Sequence, residues 1–263
     1  MLHFVIPFRS AKTSKNWGET CRLLERTVSS AANQPGQSVR IWVVCHEPPE
    51  HIQLPDTAKI LEVPFAPPDT SVCNKDMNTM LWHFRTDKGR KALYGLEQVR
   101  TQKDAYVMFL DADDLVSSRL AGFVHSKMGA NGWYIHRGYR WDQETPRWLF
   151  PRKRFNHECG SSYILKADRA PFPERVDYSL DYSDYYIRRY NVHAYIADAM
   201  RKADTPISAL PFPGAVYTFN SQNIFARTLR PQDPKWKQAA RILIKGKRID
   251  AGTRAEFGLI ELT

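Results

Sequence analysis

Two short apolar runs, Leu2-His-Phe-Val-Ile6 and Val39 to Cys45, bracket a segment whose apolar residues recur at helical spacing. Within that segment, Asn16 to Ala32 sets Leu23, Leu24, Thr27 and Val28 on one face, and Asn33-Gln-Pro-Gly36 supplies the stop. A strand, a helix and a strand in this order predict a right-handed crossover with the two strands parallel in one sheet. Parallel sheets need helices on both faces, so the opening of the chain points to an α/β fold and away from a sandwich or a helical bundle.

The pattern continues in kind. Lys59 to Val63 reads as a third strand and is followed by a proline-rich loop, Pro64 to Pro68. Asp87 to Val99 reads as a helix packing Leu93, Leu96 and Val99, and it delivers the chain to a buried strand, Tyr106-Val-Met-Phe-Leu110. Beyond residue 117 the pattern turns aromatic and irregular. Gly132 to Ile135, Tyr139 to Trp141 and Trp148 to Phe150 read as strands, and Asp181 to Arg189 and His193 to Lys202 as helices. The expected fold is a Rossmann-like, mostly parallel open sheet with helices on both faces and a mixed second half. No internal repeat or low-complexity segment interrupts it.

At the end of the fourth strand stands Phe109-Leu-Asp-Ala-Asp-Asp-Leu-Val-Ser117, with three aspartates among four residues. Side chains alternate along a strand, so Asp111 and Asp113 are expected to point the same way at its carboxyl end, with Asp114 elsewhere or opening the next turn. Carboxyl ends of open α/β sheets are where such folds bind ligands. Two converging carboxylates repel, and a divalent cation with oxygen ligands cancels that repulsion. The competing reading is an acidic loop in which Asp114 or Ser117 caps a helix from near Val116; it accounts for one aspartate and not for three. A calcium-binding loop is excluded, because its glycine and bidentate glutamate would fall at Val116 and Gly122.

Composition narrows the partners. The net charge of +10 suits an anion: a nucleoside diphosphate, an acidic glycan, nucleic acid or a membrane surface. Nucleic acid is disfavoured because the aromatic residues do not interleave with the basic tail. Cys21, Cys45, Cys73 and Cys159 are scattered and form no CxxC pair, and His157-Glu-Cys159 has no second ligand pair for zinc. No apolar run is long enough to span a bilayer, and residues 2–6 begin a strand directly, so a cytoplasmic protein is expected. From 226 to 263, nine Lys/Arg face four Asp/Glu, marking a basic C-terminal extension. Its stretch Pro234 to Leu243 can place Trp236, Ala240 and Leu243 on one helical face, which allows peripheral contact with anionic lipid at the inner face of the membrane or plain packing on the domain.

Over roughly residues 2–225 the chain resembles the family 2 inverting glycosyltransferases, which have the GT-A fold. The resemblance lies in Phe4-Val-Ile-Pro7, Leu23-Leu-x-x-Thr27-x-x-Ser30-x-x-x-Gln34, Asp87-Lys-Gly-Arg90, the run Phe109 to Ser117 and an acidic helix near 181–189. It implies a nucleotide-sugar-binding half (1–117), an acceptor-side half (118–225), and a metal-dependent transfer from a UDP-sugar or other nucleoside diphosphate sugar to a glycan or lipid-linked acceptor, as in polysaccharide biosynthesis. It further implies Mn²⁺ or Mg²⁺ held by Asp113 and Asp111, with Asn220 standing where the family has a metal-binding histidine. Pro7, Phe8, Arg9 and Glu47 would lie by the nucleotide; Lys88, Arg90, Asp111 and Ala112 would lie by the diphosphate and ribose. The general base would be Asp184, with Asp181 as the other candidate. Trp133, Tyr134, Tyr139, Trp141 and Trp148 are candidate sugar platforms, with core packing the commoner fate of such rings. Pro151-Arg-Lys-Arg154 is a basic run suited to a diphosphate or an acidic acceptor. Two other functions stay open: a catalytically silent nucleotide-sugar or glycan binder on this fold, and a haloacid-dehalogenase-type phosphatase, which also uses Asp-x-Asp.

Overall fold

The structure is a computed structural model that describes residues 1–73, 76–142, 145–173, 176–178, 196–220, 240 and 242–259. The acidic helix expected at 181–189, and most of the amphipathic stretch from 234, lie outside these residues.

β1 (Leu2–Pro7) pairs in parallel with β2 (Val39–Cys45) on one side and β4 (Tyr106–Phe109) on the other. β3 (Ala58–Glu62) extends the sheet in parallel beyond β2. On the far side β9 (Tyr163–Lys166) runs antiparallel to β4, β6 (Gly132–Tyr134) runs antiparallel to β9, and β10 (Ser208–Ala209) closes the edge parallel to β6. The order is β10-β6-β9-β4-β1-β2-β3, so one antiparallel strand interrupts an otherwise parallel sheet. The α/β class and the mixed second half are as the residue pattern predicts.

Helices cover both faces because the strands alternate their apolar side chains. Leu2, Phe4 and Ile6 of β1 pack with Cys21, Leu24, Val28 and Ala31 of α1 (Trp17–Ala32). Val5, Val44, Val107 and Phe109 pack with Leu93 and Leu96 of the long α3 (Met77–Glu97), which follows the one-turn α2 (Thr70–Cys73). Gly95 lets α3 close on the sheet, since a Cβ there would collide with Val5 and Val44. Asn16 caps α1, its side chain accepting from Glu19 N–H at 3.0 Å. α3 begins ten residues earlier than the periodicity indicates, capped by Asp76. Its first turns bury little, and Trp82 on them is exposed, so no apolar stripe announces them.

A second sheet, ordered β12-β8-β7-β11-β5, joins β5 (Leu115–Val116), β7 (Arg137–Asp142), β8 (Trp148–Lys153), β11 (Ala215–Phe219) and β12 (Lys247–Arg248). The part of the basic extension described here belongs to this layer. β12 pairs with β8, and Phe257 of the last helix (Ala251–Phe257) packs with Leu115, Trp141 and Val216. Thr253, Phe257 and Leu259 of this stretch are therefore buried. α4 (Leu120–Ser126) packs in the cluster on the α1 face of the first sheet, and α5 (Ile196–Lys202) in the cluster on the α3 face.

Candidate functional site

The carboxyl ends of β1, β2 and β4 open on the same edge of the first sheet, and the charged residues gather there. β4 stops at Phe109, and the aspartates sit on a turn closed by Asp114 N–H donating to Asp111 O at 3.1 Å. This corrects the expectation of strand alternation: the turn, and not the pleat, sorts the three side chains.

Asp114 departs furthest from expectation. It caps no helix and is fully buried. Thr218 N–H donates to one of its oxygens at 2.9 Å, and Ser161 Oγ and Cys159 Sγ donate to the other at 2.6 and 3.1 Å. Ser161 Oγ in turn accepts from Asp111 N–H at 2.9 Å, so Asp114 anchors the turn that carries Asp111. Burial, then the charges of Asp113 and Asp111, push the Asp114 carboxyl well above its ordinary range. Burial and the adjacent Asp114 likewise push the Cys159 thiol up, so this cysteine is a hydrogen-bond donor and no nucleophile.

Asp111 and Asp113 are half-buried at the mouth. Asp111 forms an ion pair with Lys88 of α3, and Gly160 beside them leaves the room: a Cβ there would lie 3.2 Å from both partners. Burial disfavours the Lys88 ammonium, but Asp111 outweighs it and raises its pKa. Asp113 accepts from Asn220 Nδ2 at 2.8 Å. Burial, then Asp111, raise the Asp113 carboxyl, against the opposing effects of Asn220, Arg9 and Arg26. Burial lowers the Arg9 pKa and the charges of Asp113 and Asp87 oppose that shift, so its guanidinium is within electrostatic reach of both carboxylates.

Arg26 carries no role in the sequence reading. From α1 it donates Nη2 to Asp113 O at 3.2 Å and lies 4.8 Å from the Trp141 ring centroid. Burial lowers its pKa to about 10 despite the support of Asp113 and Asp114. A signal existed, because position 26 is three after Leu23, on the buried face of the helix. Arg9, Arg26 and Lys88 supply positive charge that opposes the repulsion among the aspartates.

The other nominated residues fall into two groups. Phe8 is buried, and its carbonyl accepts from Lys91 Nζ at 2.7 Å; Lys91 also pairs with Asp87 at 2.8 Å. Burial pushes Asp87 up, but Lys91 and a 2.7 Å hydrogen bond from His46 outweigh it and hold the carboxyl below its ordinary value. This buried Asp87–Lys91–His46 cluster, which only Asp87 announced in sequence, ties α3 and β2 to the loop after β1. Glu47 fixes the same loop by accepting from Ser10 Oγ at 2.8 Å and from Ala11 N–H. Pro7 and Ala112 are half-buried beside Arg9 and Asp113 in the chain.

Arg90 is not brought to the aspartates: it is buried with its guanidinium 3.9 Å from the Phe65 ring centroid. Trp133 and Trp141 are core residues, Trp133 packing on Tyr106 and Phe123. Tyr139 meets Phe257 edge-on. Asp181 and Asp184 lie outside the described residues.

Among the described residues no three His, Cys, Asp or Glu side chains converge to hold a metal. The oxygens available are those of Asp111, Asp113 and the Asn220 amide, hard donors of the kind Mg²⁺ and Mn²⁺ accept. Asn220 presents its amide nitrogen to Asp113, so its oxygen reaches the same point only after the amide turns over. Two carboxylates fit a cation that completes its shell with phosphate oxygens and water, not one caged by protein. No described helix is long and apolar enough to cross a membrane.

No protein-family model matches this chain, and no curated protein sequence does. Among solved structures, a crystal structure of S. aureus TarS residues 1-349 is similar at a TM-score of 0.41 and 13% identity. The similarity covers 82% of this chain and 60% of that one. TarS is a glycosyltransferase; a likeness of this size assigns neither family nor activity to the present chain.

Proposed function

We propose that the chain is a glycosyltransferase that moves a sugar from a nucleoside diphosphate donor, UDP-sugars being the first to test, to a hydroxyl of a glycan or lipid-linked acceptor. The observation that carries this reading is the pairing of Asp111 and Asp113 at the carboxyl edge of a parallel sheet, with Arg9 and Lys88 beside them. Burial and Asp111 both raise the proton affinity of Asp113, and a divalent cation shared by the two carboxylates relieves that strain without a proton. When bound with the donor, Mg²⁺ or Mn²⁺ supplies a Lewis acid for the charge that grows on the leaving diphosphate. Arg9 and Lys88 add fixed positive charge to the same diphosphate, Lys88 by exchanging part of its contact with Asp111. Phe8, held by Lys91, and the turn held by Glu47 fix the loop beside the nucleotide.

Such a site binds metal and nucleotide together. Calorimetric titration should show UDP binding in Mn²⁺ and little in EDTA, with Mn²⁺ alone binding weakly because two carboxylates leave most of its shell to water. Equal UDP affinity in EDTA would reject the metal. Incubation with UDP-sugars then separates the functions: free UDP marks a transferase, phosphate released from phosphoesters marks a phosphatase, and binding without turnover marks a silent binder. The last reading has its own support, since Asn220 and Lys88 already occupy Asp113 and Asp111.

Attack by the acceptor hydroxyl needs a base, and the proposal places it on the acidic segment at 181–189. Asp184→Ala is expected to slow transfer by about 10²-fold, the scale of general-base catalysis, with UDP affinity kept. Asp181→Ala is expected to leave turnover near wild type. Initial rates measured beside UDP affinity decide between them, and the reverse pattern moves the base to Asp181.

A further inference from the structure

A pocket opens beside β6, about 400 Å³ in volume, within the range of roughly 300–1,000 Å³ usual for small-molecule sites. Its wall is formed by Tyr134 and His136 from the end of β6, Arg154, Asn156 and His157 from the turn after β8, and α5. It takes residues from β6, whose end lies on the same sheet edge as Asp111, because β6 and β4 both run antiparallel to β9. Tyr163 links the two places: its hydroxyl accepts from Asn156 Nδ2 at 3.4 Å, and two residues earlier Ser161 holds Asp111.

Three features are independent of one another. First, Asn156 is only 6% exposed, and its Oδ1 has no hydrogen-bond partner. A buried amide oxygen left without a donor costs about 1–3 kcal/mol, so this wall residue is held in place at a cost to stability. Second, the wall is rich in cation-forming groups: His136, Arg154, His157 and Arg201, against Asp198 alone, which is already paired with Arg201 at 2.7 Å. Third, Arg154 adopts a left-handed backbone at φ 57°, a conformation that costs energy for a residue with a Cβ and gathers at ligand sites.

We propose that this pocket is an anion-recognising sugar subsite. Its ligand is an acidic sugar that carries a carboxylate or phosphate group beside free hydroxyls. The arginine and the two histidines meet the oxyanion, and Tyr134 offers a ring at the wall to the sugar face. As the acceptor subsite of the transferase this rests on the function proposed above, whereas the binding itself does not need metal or nucleotide. The basic run Pro151 to Arg154 thereby divides: Arg152 pairs with Glu158, and Arg154 lines the pocket.

The test is titration of the full chain with glucuronic acid, glucose 6-phosphate, glucose and inorganic phosphate, without nucleotide or metal. One or both acidic sugars should bind in preference to glucose, and which of them binds tighter names the anion. Arg154→Gly removes the guanidinium and relieves the strained backbone, so it should unfold no earlier than wild type yet bind the acidic sugar roughly tenfold or more weakly, the loss of one charge-assisted hydrogen bond. Asn156→Asp should weaken it too, by setting a carboxylate against the ligand. Glucose binding as tightly as the acidic sugars, phosphate binding as tightly as glucose 6-phosphate, or wild-type binding by Arg154→Gly would each overturn the proposal. Acidic-sugar binding that survives alongside a failure of UDP to bind would sink the transferase and leave the subsite standing.

Discussion

Asp113→Asn is expected to abolish metal-dependent UDP binding and to slow transfer by about 10³-fold, the upper range for losing one group that stabilises developing charge, while the fold becomes no less stable. The two directions have one cause. Burial and Asp111 raise the Asp113 carboxyl, so its ionised form destabilises the native state at neutral pH. An amide of the same shape removes that charge and can still accept from Asn220 through its oxygen. EDTA should lower wild-type transfer to the level of the variant and leave the variant unchanged. Thermal denaturation beside transfer assays is the measurement. A variant that transfers normally, or that loses activity only because it unfolds, would remove Asp113 from the metal site.

Why the sheet was legible and the charge network was not follows from the physics of each. β1, α1 and β2 announced themselves because burial imposes periods of 2 and 3.6 on apolar residues, and the chain obeys both from Leu2 to Cys45. The same rule hid the start of α3, where residues 78–85 are partly or fully exposed and leave no stripe. Ser30 and Gln34, visible in sequence only as part of a spaced motif, have a plain structural task. Ser30 Oγ accepts from Val116 N–H at 3.0 Å, and Gln34 donates to Ser117 O and accepts from Ala121 N–H. They fasten α1 to the strand that follows the aspartates.

Polar contacts between distant segments carry no period at all. Arg26, His46, Ser161 and Cys159 reach their partners at Asp113, Asp87 and Asp114 more than 40 positions away, Lys91 reaches the Phe8 carbonyl 83 positions away, and each reads locally as an ordinary helix or loop residue. The aspartate run was legible as a site because three carboxylates in four residues demand a local explanation. Which of the three is exposed depends on Ser161 and Thr218, some 50 and 100 positions away.

That division of labour is testable at Asp114. Asp114→Ala removes the acceptor for Thr218 N–H, Ser161 Oγ and Cys159 Sγ at once in a fully buried place, and is expected to cost about 3–5 kcal/mol, as when one partner of a buried network is deleted. Asp114→Asn should cost far less, because its oxygen can keep the Thr218 bond and its amide can donate to Ser161 Oγ. The pH dependence separates charge from packing. Asp114 titrates well above its ordinary value of 3.8 when folded, so above that value the native state holds a proton that the unfolded chain has released. Stability then falls as pH rises from near 4 toward the folded pKa, and the loss belongs to the ionisable side chain. The neutral asparagine contributes no such slope, so its stability relative to wild type should improve steadily with pH over that window. Asp113 is present in both proteins, and neutralising its neighbour eases its own ionisation, which acts in the same direction. Urea denaturation at a series of pH values reads the difference directly. A gap between Asp114→Asn and wild type that stays constant or widens against the variant as pH rises would mean that Asp114 is held ionised in the native state by the donors around it.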